Sequence, residues 1–252
     1  MNIETVAVYS TADRDALHVH LSTHAVCIGP AKAGESYLNP VAILTAAIET
    51  GCDAVHPGYG FLSENAHFAN LCRRHGLVFI GPDSKVISAM GDKNNARQLM
   101  KKIGVPTVPG SDCLSSPADA LREAKKIGYP LLIKASAGGG GKGIRLIEEE
   151  GQLEAAFYAA SEEALLSFGN GEVYLEKYLT GIRHIEIQVL GDSAGNIVSL
   201  GERDCSLQRN KQKVIEETPC PVLSERTQKA MASAAVRAAR AAGYTNAGTV
   251  EF

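Results

Sequence analysis

Over the first third of the chain, short apolar runs rich in β-branched residues alternate with longer stretches whose apolar positions recur every three or four residues. "TVAVYS" (5–10) and "HAVCIG" (24–29) predict strands. "NPVAILTAAIETG" predicts a helix with Asn39 as its cap, Pro40 at the first helical position and Gly51 at its end. "CDAVHPGYG" predicts a strand running into a glycine loop, "SENAHFANLCRRHG" a helix, and "LVFIGP" a further strand. Alternation of this kind predicts a parallel sheet with crossover helices. Sites in such sheets lie beyond the carboxyl ends of the strands, and "HPGYG" falls at one such end.

The pattern then changes. "MGDKNNARQLMKKIG" predicts one helix ending at Gly104, and "VPTVPGS" a Pro/Gly connector. "SPADALREAKKIG" predicts a capped helix with Pro117 near its start. "YPLLIKAS" and "GIRLIE" predict strands, "EEGQLEAAFYAASEEALLSFG" an amphipathic helix, and "EVYLEKYL" a half-buried strand. "RHIEIQVLGDSAGNIVSLGERD" predicts an antiparallel hairpin turning at Asp192–Asn196. "SERTQKAMASAAVRAARAAG" predicts a helix and "AGTVEF" a strand; no internal repeat or low-complexity tract is visible.

Composition narrows the class. The 252 residues suffice for one large domain or two modest ones. Apolar residues at 45% and charged residues at 21% are ordinary for a soluble globular protein. A formal charge of -3 argues against a general nucleic-acid binder. With no tryptophan and 6% aromatics, the core is expected to be mostly aliphatic. Cys27, Cys52, Cys72, Cys113, Cys205 and Cys220 form no C-x-x-C pair and no zinc-spaced cluster. They are expected as reduced, mostly buried thiols of a cytoplasmic protein. Cys205 in "ERDCS" is a candidate nucleophile, although a lone cysteine more often serves packing. No stretch is long and apolar enough to span a membrane, and "MNIETVAVYS" has no basic n-region and h-region, so neither a membrane nor a signal peptide is expected.

"KASAGGGGKGIR" (134–145) carries the chemistry. Four consecutive glycines between Lys134 and Lys142 cost backbone entropy and need a reason. A P-loop is excluded, because Gly141-Lys142 is followed by Gly143 and the position five before Gly141 is Ser136. G-x-G-x-x-G fits Gly138, Gly140 and Gly143, but a helix must follow and "IRLIE" predicts a strand. A strand, glycine-rich hairpin and strand remain. Such a loop folds over polyphosphate with its N–H groups unshielded by any Cβ, and Lys134 supplies a fixed positive charge.

With these residues in place, the chain from about Thr5 to Phe252 resembles the ATP-grasp superfamily and, within it, biotin carboxylase. The resemblance rests on "AVHPGYGFLSEN", "MGDK", "YPLLIKASAGGGGKGIR", "YLEKYL", "RHIEIQVLGD", "GERDCS", "QKVIEE" and "AGTVEF", in order and correctly spaced. It is most like the biotin carboxylase subunit of a bacterial acetyl-CoA carboxylase. It implies an α/β fold, with a partial Rossmann-like N-terminal domain over 1–88. An incomplete ATP-grasp domain over 89–252 would follow, with a glycine-rich lid at about 109–178. The implied reaction is phosphorylation of bicarbonate by ATP to carboxyphosphate, then carboxylation of carrier-bound biotin. Such phosphoryl transfer rests on positioning and charge neutralisation.

The resemblance also implies roles. Lys93 and Lys134 would pair with ATP phosphates, and Gly140 and Gly141 would cover them as the lid closes, shutting out water. Glu176, Lys177, Tyr178 and Leu179 would meet the adenine edge, through backbone and the Glu176 side chain. His184 and Gln208 would contact nucleotide or bicarbonate. Lys213 would hold bicarbonate as a compact point charge, and Glu251 would ligate Mg²⁺ or Mn²⁺. Tyr59 and Gly60 would line the biotin side. Implied partners are a biotin carboxyl carrier protein, carboxyltransferase subunits and, by analogy, a second copy of the chain.

The chain also departs from the family pattern. Asn210 and Lys211 fill the second arginine position after Gln208 and the one after it; a lysine at 211 would still reach a phosphate. The family begins with one more strand, glycine loop and helix. It continues past Phe252 with a second metal-binding glutamate, an asparagine and an arginine. The chain alone is therefore expected to be inactive or nearly so. The alternatives are a nucleotide-binding or subunit-interaction fragment without turnover, another ATP-grasp ligase, and the biotin carboxylase part of another biotin-dependent carboxylase.

Overall fold

The computed structural model describes residues 2–91, 93–136, 143–209 and 212–252, with Lys93 and Asn94 described by their backbone alone. Two compact units form. One runs to Ser88 and includes Tyr244–Ala247; the other holds Ala89–Gly243 and Gly248–Phe252.

In the first unit, β1 (Val6–Ser10), α1 (Leu17–Leu21), β2 (His24–Gly29), α2 (Pro40–Glu49), β3 (Ala54–Val55), α3 (Ala66–Arg74) and β4 (Val78–Phe79) follow in order. Parallel pairing is present as predicted, β1 with β2 and β3 with β4. It forms two separate two-stranded ladders among the described residues, where the sequence pattern predicts one sheet. Asn39 caps α2 by accepting from the Val41 and Ala42 amides, ahead of Pro40. The core gathers Leu44, Val55, Leu62, Phe68, Cys72 and Leu77.

Within the helix predicted over 90–104 lies α5 (Lys93–Lys102), and α4 (Ser84–Gly91) stands before it in the chain. Asp83 starts α4 by accepting from the Lys85 amide at 2.9 Å.

In the second unit, α6 (Pro117–Ile127) precedes β5 (Leu131–Ala135) and β6 (Ile144–Ile147), then α7 (Leu153–Phe168) and β7 (Val173–Lys177). The three strands form an antiparallel sheet in the order β6-β5-β7. Alternate positions of β5, Leu131 and Ile133, are fully buried with Leu153, Ala160, Val173 and Leu175. Burying one such side chain stabilises by about 2 kcal/mol. Gly143 enters β6 at φ +68°, and its carbonyl accepts from the Ala135 amide. A side chain there would lie 2.9 Å from the Ala135 methyl, so glycine is required for the close return.

A second sheet has the order β10-β9-β8-β11, from β8 (Ile185–Gly191), β9 (Ile197–Arg209), β10 (Gln212–Glu217) and β11 (Asn246–Glu251). The predicted hairpin between β8 and β9 turns where Asp192 Oδ1 accepts from the Asn196 amide at 2.8 Å. β9 runs on to pair with β10, a strand that the charge-rich "QKVIEE" concealed. α8 (Glu225–Ala242) packs on β8 and β9 through Ala234, Ala235, Ala238 and Ala239, and Gly243 ends it in the left-handed conformation. Among the described residues, no helix is long and apolar enough to cross a membrane.

None of the six cysteines is in a disulfide. Cys72, Cys205 and Cys220 are buried, whereas Cys27 is exposed and Cys52 and Cys113 are intermediate, so the expectation of mostly buried thiols holds for half of them.

Candidate functional site

The four-stranded sheet brings three distant segments together. Register sets Lys213 on β10 opposite Gln208 on β9, and Arg203 opposite Glu186 on β8. Alternation along each strand then turns Glu186, Arg203 and Lys213 toward one another. Glu186, 3% exposed, accepts from Lys213 and from Arg203. Lys213 also lies 3.0 Å from Glu251 at the end of β11, and Arg203 lies 3.5 Å from Glu216. His184 Nε2 stands 3.3 Å from the same Glu251 oxygen, without hydrogen-bond geometry.

The charges hold one another. Burial works against the Lys213 ammonium, but hydrogen bonds to Glu186 and Glu251 outweigh it and lift the group above the usual lysine range. Burial likewise works against the Glu186 carboxylate, and Lys213 and Arg203 hold it below its usual range. The result is a permanently charged ammonium, fixed on two sides and still partly open to solvent.

A second layer orients His184. Its amide donates to Ser206 Oγ at 2.9 Å, and its carbonyl accepts from the Cys205 amide at 2.7 Å. Asp204 accepts from Ser206, from Arg183 at 2.8 Å and from the Cys220 thiol at 3.4 Å. The Ser206 hydrogen bond first, against burial, brings the Asp204 carboxyl down to about 2. Cys205 is buried, and burial followed by Glu186 and Glu216 pushes its thiol up, which suits packing and not nucleophilic attack.

One ligand atom each from His184, Glu186 and Glu251 lies within 4.8 Å of the others. Glu186 is committed to two cations. Glu251, with its side chain 57% exposed, is the carboxylate here that can offer oxygen to a hard divalent cation.

The three-stranded sheet carries a separate constellation. Lys134 on β5 pairs with Glu176 on β7. These two side chains thus hold each other, where the family resemblance implied a ligand for each. Lys177 donates to the Gly128 and Tyr129 carbonyls at 2.8 Å, so its ammonium is structural. The Lys177 and Tyr178 amides donate to Pro109 and Pro130 carbonyls. Among the described residues, the Leu179 amide carries no such bond, which leaves it as the backbone donor at this edge.

The remaining predicted residues fall elsewhere. Gln208 is exposed and donates to the Cys205 carbonyl at 3.0 Å. Tyr59, 93% exposed, and Gly60, at φ +72°, belong to the first unit. Lys93 lies on α5, but its side chain lies outside the described residues, as do Gly140, Gly141 and Lys211. Sequence reasoning missed Glu186, Arg203 and Asp204. Their strands were legible, but pairing register alone shows that these side chains meet.

The chain is similar to known proteins along its whole length. Residues 1–87 match the biotin carboxylase N-terminal domain, and residues 92–252 match the ATP-binding domain of the carbamoyl-phosphate synthase L chain. Biotin carboxylase 1 of Bacillus subtilis is 53% identical over 253 residues, covering 100% of this chain and 56% of that protein. The chloroplastic biotin carboxylase of Arabidopsis thaliana is 55% identical over 100% of this chain and 47% of that protein. The crystal structure of a biotin carboxylase–beta-gamma-ATP complex from Campylobacter jejuni superposes with a TM-score of 0.93 at 49% identity, covering 99% of this chain and 56% of that one. The biotin carboxylase domain of Hydrogenobacter thermophilus 2-oxoglutarate carboxylase, a dimer with MgADP, ADP and bicarbonate, gives a TM-score of 0.89 at 49% identity over 99% of this chain and 55% of that one. The chain spans about half the length of the curated relatives it matches.

Proposed function

The chain belongs to the biotin carboxylase family, and from that premise we propose that it carries the nucleotide- and bicarbonate-handling part of ATP-dependent biotin carboxylation. The observation that carries this reading is the Lys213 ammonium, held between Glu186 and Glu251 with His184 against the same carboxylate. Bicarbonate is a small anion, and a fixed, permanently charged cation can orient it for attack on a phosphoryl group. Glu186 keeps Lys213 in place while Glu251 is free to turn to another cation.

Residues 109–178 form the lid in this reading. Lys134 leaves Glu176 for nucleotide phosphate, joined by Lys93, Gly140, Gly141 and Lys211, and Glu176 with the Leu179 amide meets the adenine edge. His184 and Gln208 face nucleotide or bicarbonate, and Tyr59 and Gly60 face biotin. Mg²⁺, when bound at Glu251, supplies charge neutralisation for the polyphosphate. A biotin carrier protein, carboxyltransferase subunits and a second copy of the chain are the partners, in the cytoplasm.

The test is ATP hydrolysis by the purified chain with Mg²⁺, with and without bicarbonate and free biotin. MgADP binding is expected, with bicarbonate-dependent hydrolysis at most at a trace rate and lost in Lys213→Met. A folded chain that neither binds MgADP nor hydrolyses ATP overturns the proposal. MgADP binding without hydrolysis restricts it to the nucleotide half.

A further inference from the structure

Arg97 is the most deeply buried cationic side chain among the described residues, 9% exposed, and none of their carboxylates pairs with it. Its Nη1 donates to the Ser111 carbonyl and its Nη2 to the Val108 carbonyl, each at 2.9 Å. Its guanidinium carbon lies 5.7 Å from the ring centroid of Tyr174 on β7. Nε carries no hydrogen bond among the described residues. A planar fork bridging two carbonyls over an aromatic face is a geometry that arginine makes and lysine does not.

The gripped segment is itself part of the lid sheet. Gly110 bridges to Glu176, the Ser111 amide donates to the Leu175 carbonyl, and the Leu175 amide donates to Ser111 Oγ, both at 2.9 Å. Gly110 sits between the two carbonyls that Arg97 holds. A Cβ there would come 2.9 Å from Nη1, closer still to Nη2 and to the Leu175 carbonyl. The absence of a side chain at 110 is thus fitted to the guanidinium.

Two groups of the nucleotide site meet through this grip. Arg97 stands one helical turn after Lys93 on α5, so both positions share a helix face. Tyr174, beneath the guanidinium, precedes Glu176 by two residues on β7, on the same strand face, and Glu176 holds Lys134. A buried guanidinium without a carboxylate is a poor device for stability alone, since an apolar side chain of similar volume serves a core at least as well.

We propose that Arg97 is a positioning residue that sets α5 against the lid strand β7, so that the phosphate-facing helix and the adenine-facing strand engage one nucleotide together. This inference rests on the nucleotide reading of Lys134 and Glu176–Leu179. It makes Arg97 act through its neighbours, without touching the nucleotide.

The experiment compares MgADP and inorganic tripolyphosphate binding by calorimetry for the whole chain, Arg97→Lys, Arg97→Met, Gly110→Ala and Lys134→Ala, with thermal midpoints for each. Arg97→Lys is expected to weaken MgADP by about tenfold, the size of a modest coupling between two linked parts of a site, and tripolyphosphate by less than about twofold. Gly110→Ala keeps Arg97 but fills its place, and is expected to reproduce that selective loss. A lowered midpoint with both affinities unchanged in Arg97→Lys and Gly110→Ala makes Arg97 purely structural and overturns the proposal. So does equal loss of both ligands. If the unaltered chain binds no MgADP, or Lys134→Ala binds it equally well, the nucleotide reading itself fails and the Arg97 proposal with it.

Discussion

The two sheets of the second unit hold their lysines in opposite ways. On the three-stranded sheet, Lys134 has one carboxylate partner among the described residues, Glu176, above a largely aliphatic core. On the four-stranded sheet, Lys213 is shared by Glu186 and Glu251, and Arg203 braces Glu186 from the other side. A one-to-one pair comes apart when a ligand offers either member a better partner. A braced network keeps its central charge in place when one member leaves. The first arrangement suits a group that must exchange partners, the second a group that must stay.

That contrast is most exposed at Glu186. Glu186→Ala strands two cations around a buried position, and is expected to cost about 3 kcal/mol in urea unfolding. Glu176→Gln keeps the size and an acceptor, and is expected to cost about 1 kcal/mol. Equal costs would erase the distinction between the braced and the exchangeable lysine.

Acid sharpens it further. The folded chain keeps Asp204 ionised down to about pH 2, whereas the unfolded chain protonates it near its ordinary value of 3.8. Its contribution to stability is therefore complete above the unfolded value and lost as pH falls through the folded one. The thermal midpoint of the unaltered chain should fall between pH 4 and pH 2 more steeply than that of Asp204→Asn. Parallel curves would remove Asp204 from the scaffold behind His184.

The smallest structural effect is expected at Glu251, the exposed arm of the network. Glu251→Gln should change stability by less than about 0.5 kcal/mol, as exposed pairs do. Its effect should appear in the Mg²⁺ concentration needed for nucleotide binding. A large stability loss there would mean that Glu251 braces Lys213 as Glu186 does.

Much of this molecule was legible in its sequence, unevenly. Capped, periodic segments such as Pro117–Ile127 and Glu225–Ala242 announce themselves by Ser116, Ser224 and a terminal glycine. The strand–glycine–strand order around Lys134 followed from the β-branched run after Gly143. Hidden from the sequence was whatever depends on pairing across the chain. "QKVIEE" looks like a solvated charge run until β9 is placed beside it. Arg97 looks like one more cation on a basic helix until the carbonyls of Val108 and Ser111 arrive beneath it. Local pattern fixes elements, but register and close approach decide which side chains share a space.

The four alanines of α8 that face β8 and β9 carry no charge and touch no ligand in any role assigned above. Their shortness sets the distance at which helix and sheet lie. Enlarging Ala235 or Ala238 would act as a wedge, prising the floor away from the charged surface it supports. Such a lesion would leave every ionisable group chemically whole and still spread His184, Glu186 and Lys213 apart. The tolerances of this surface are thus ones of volume as much as of charge.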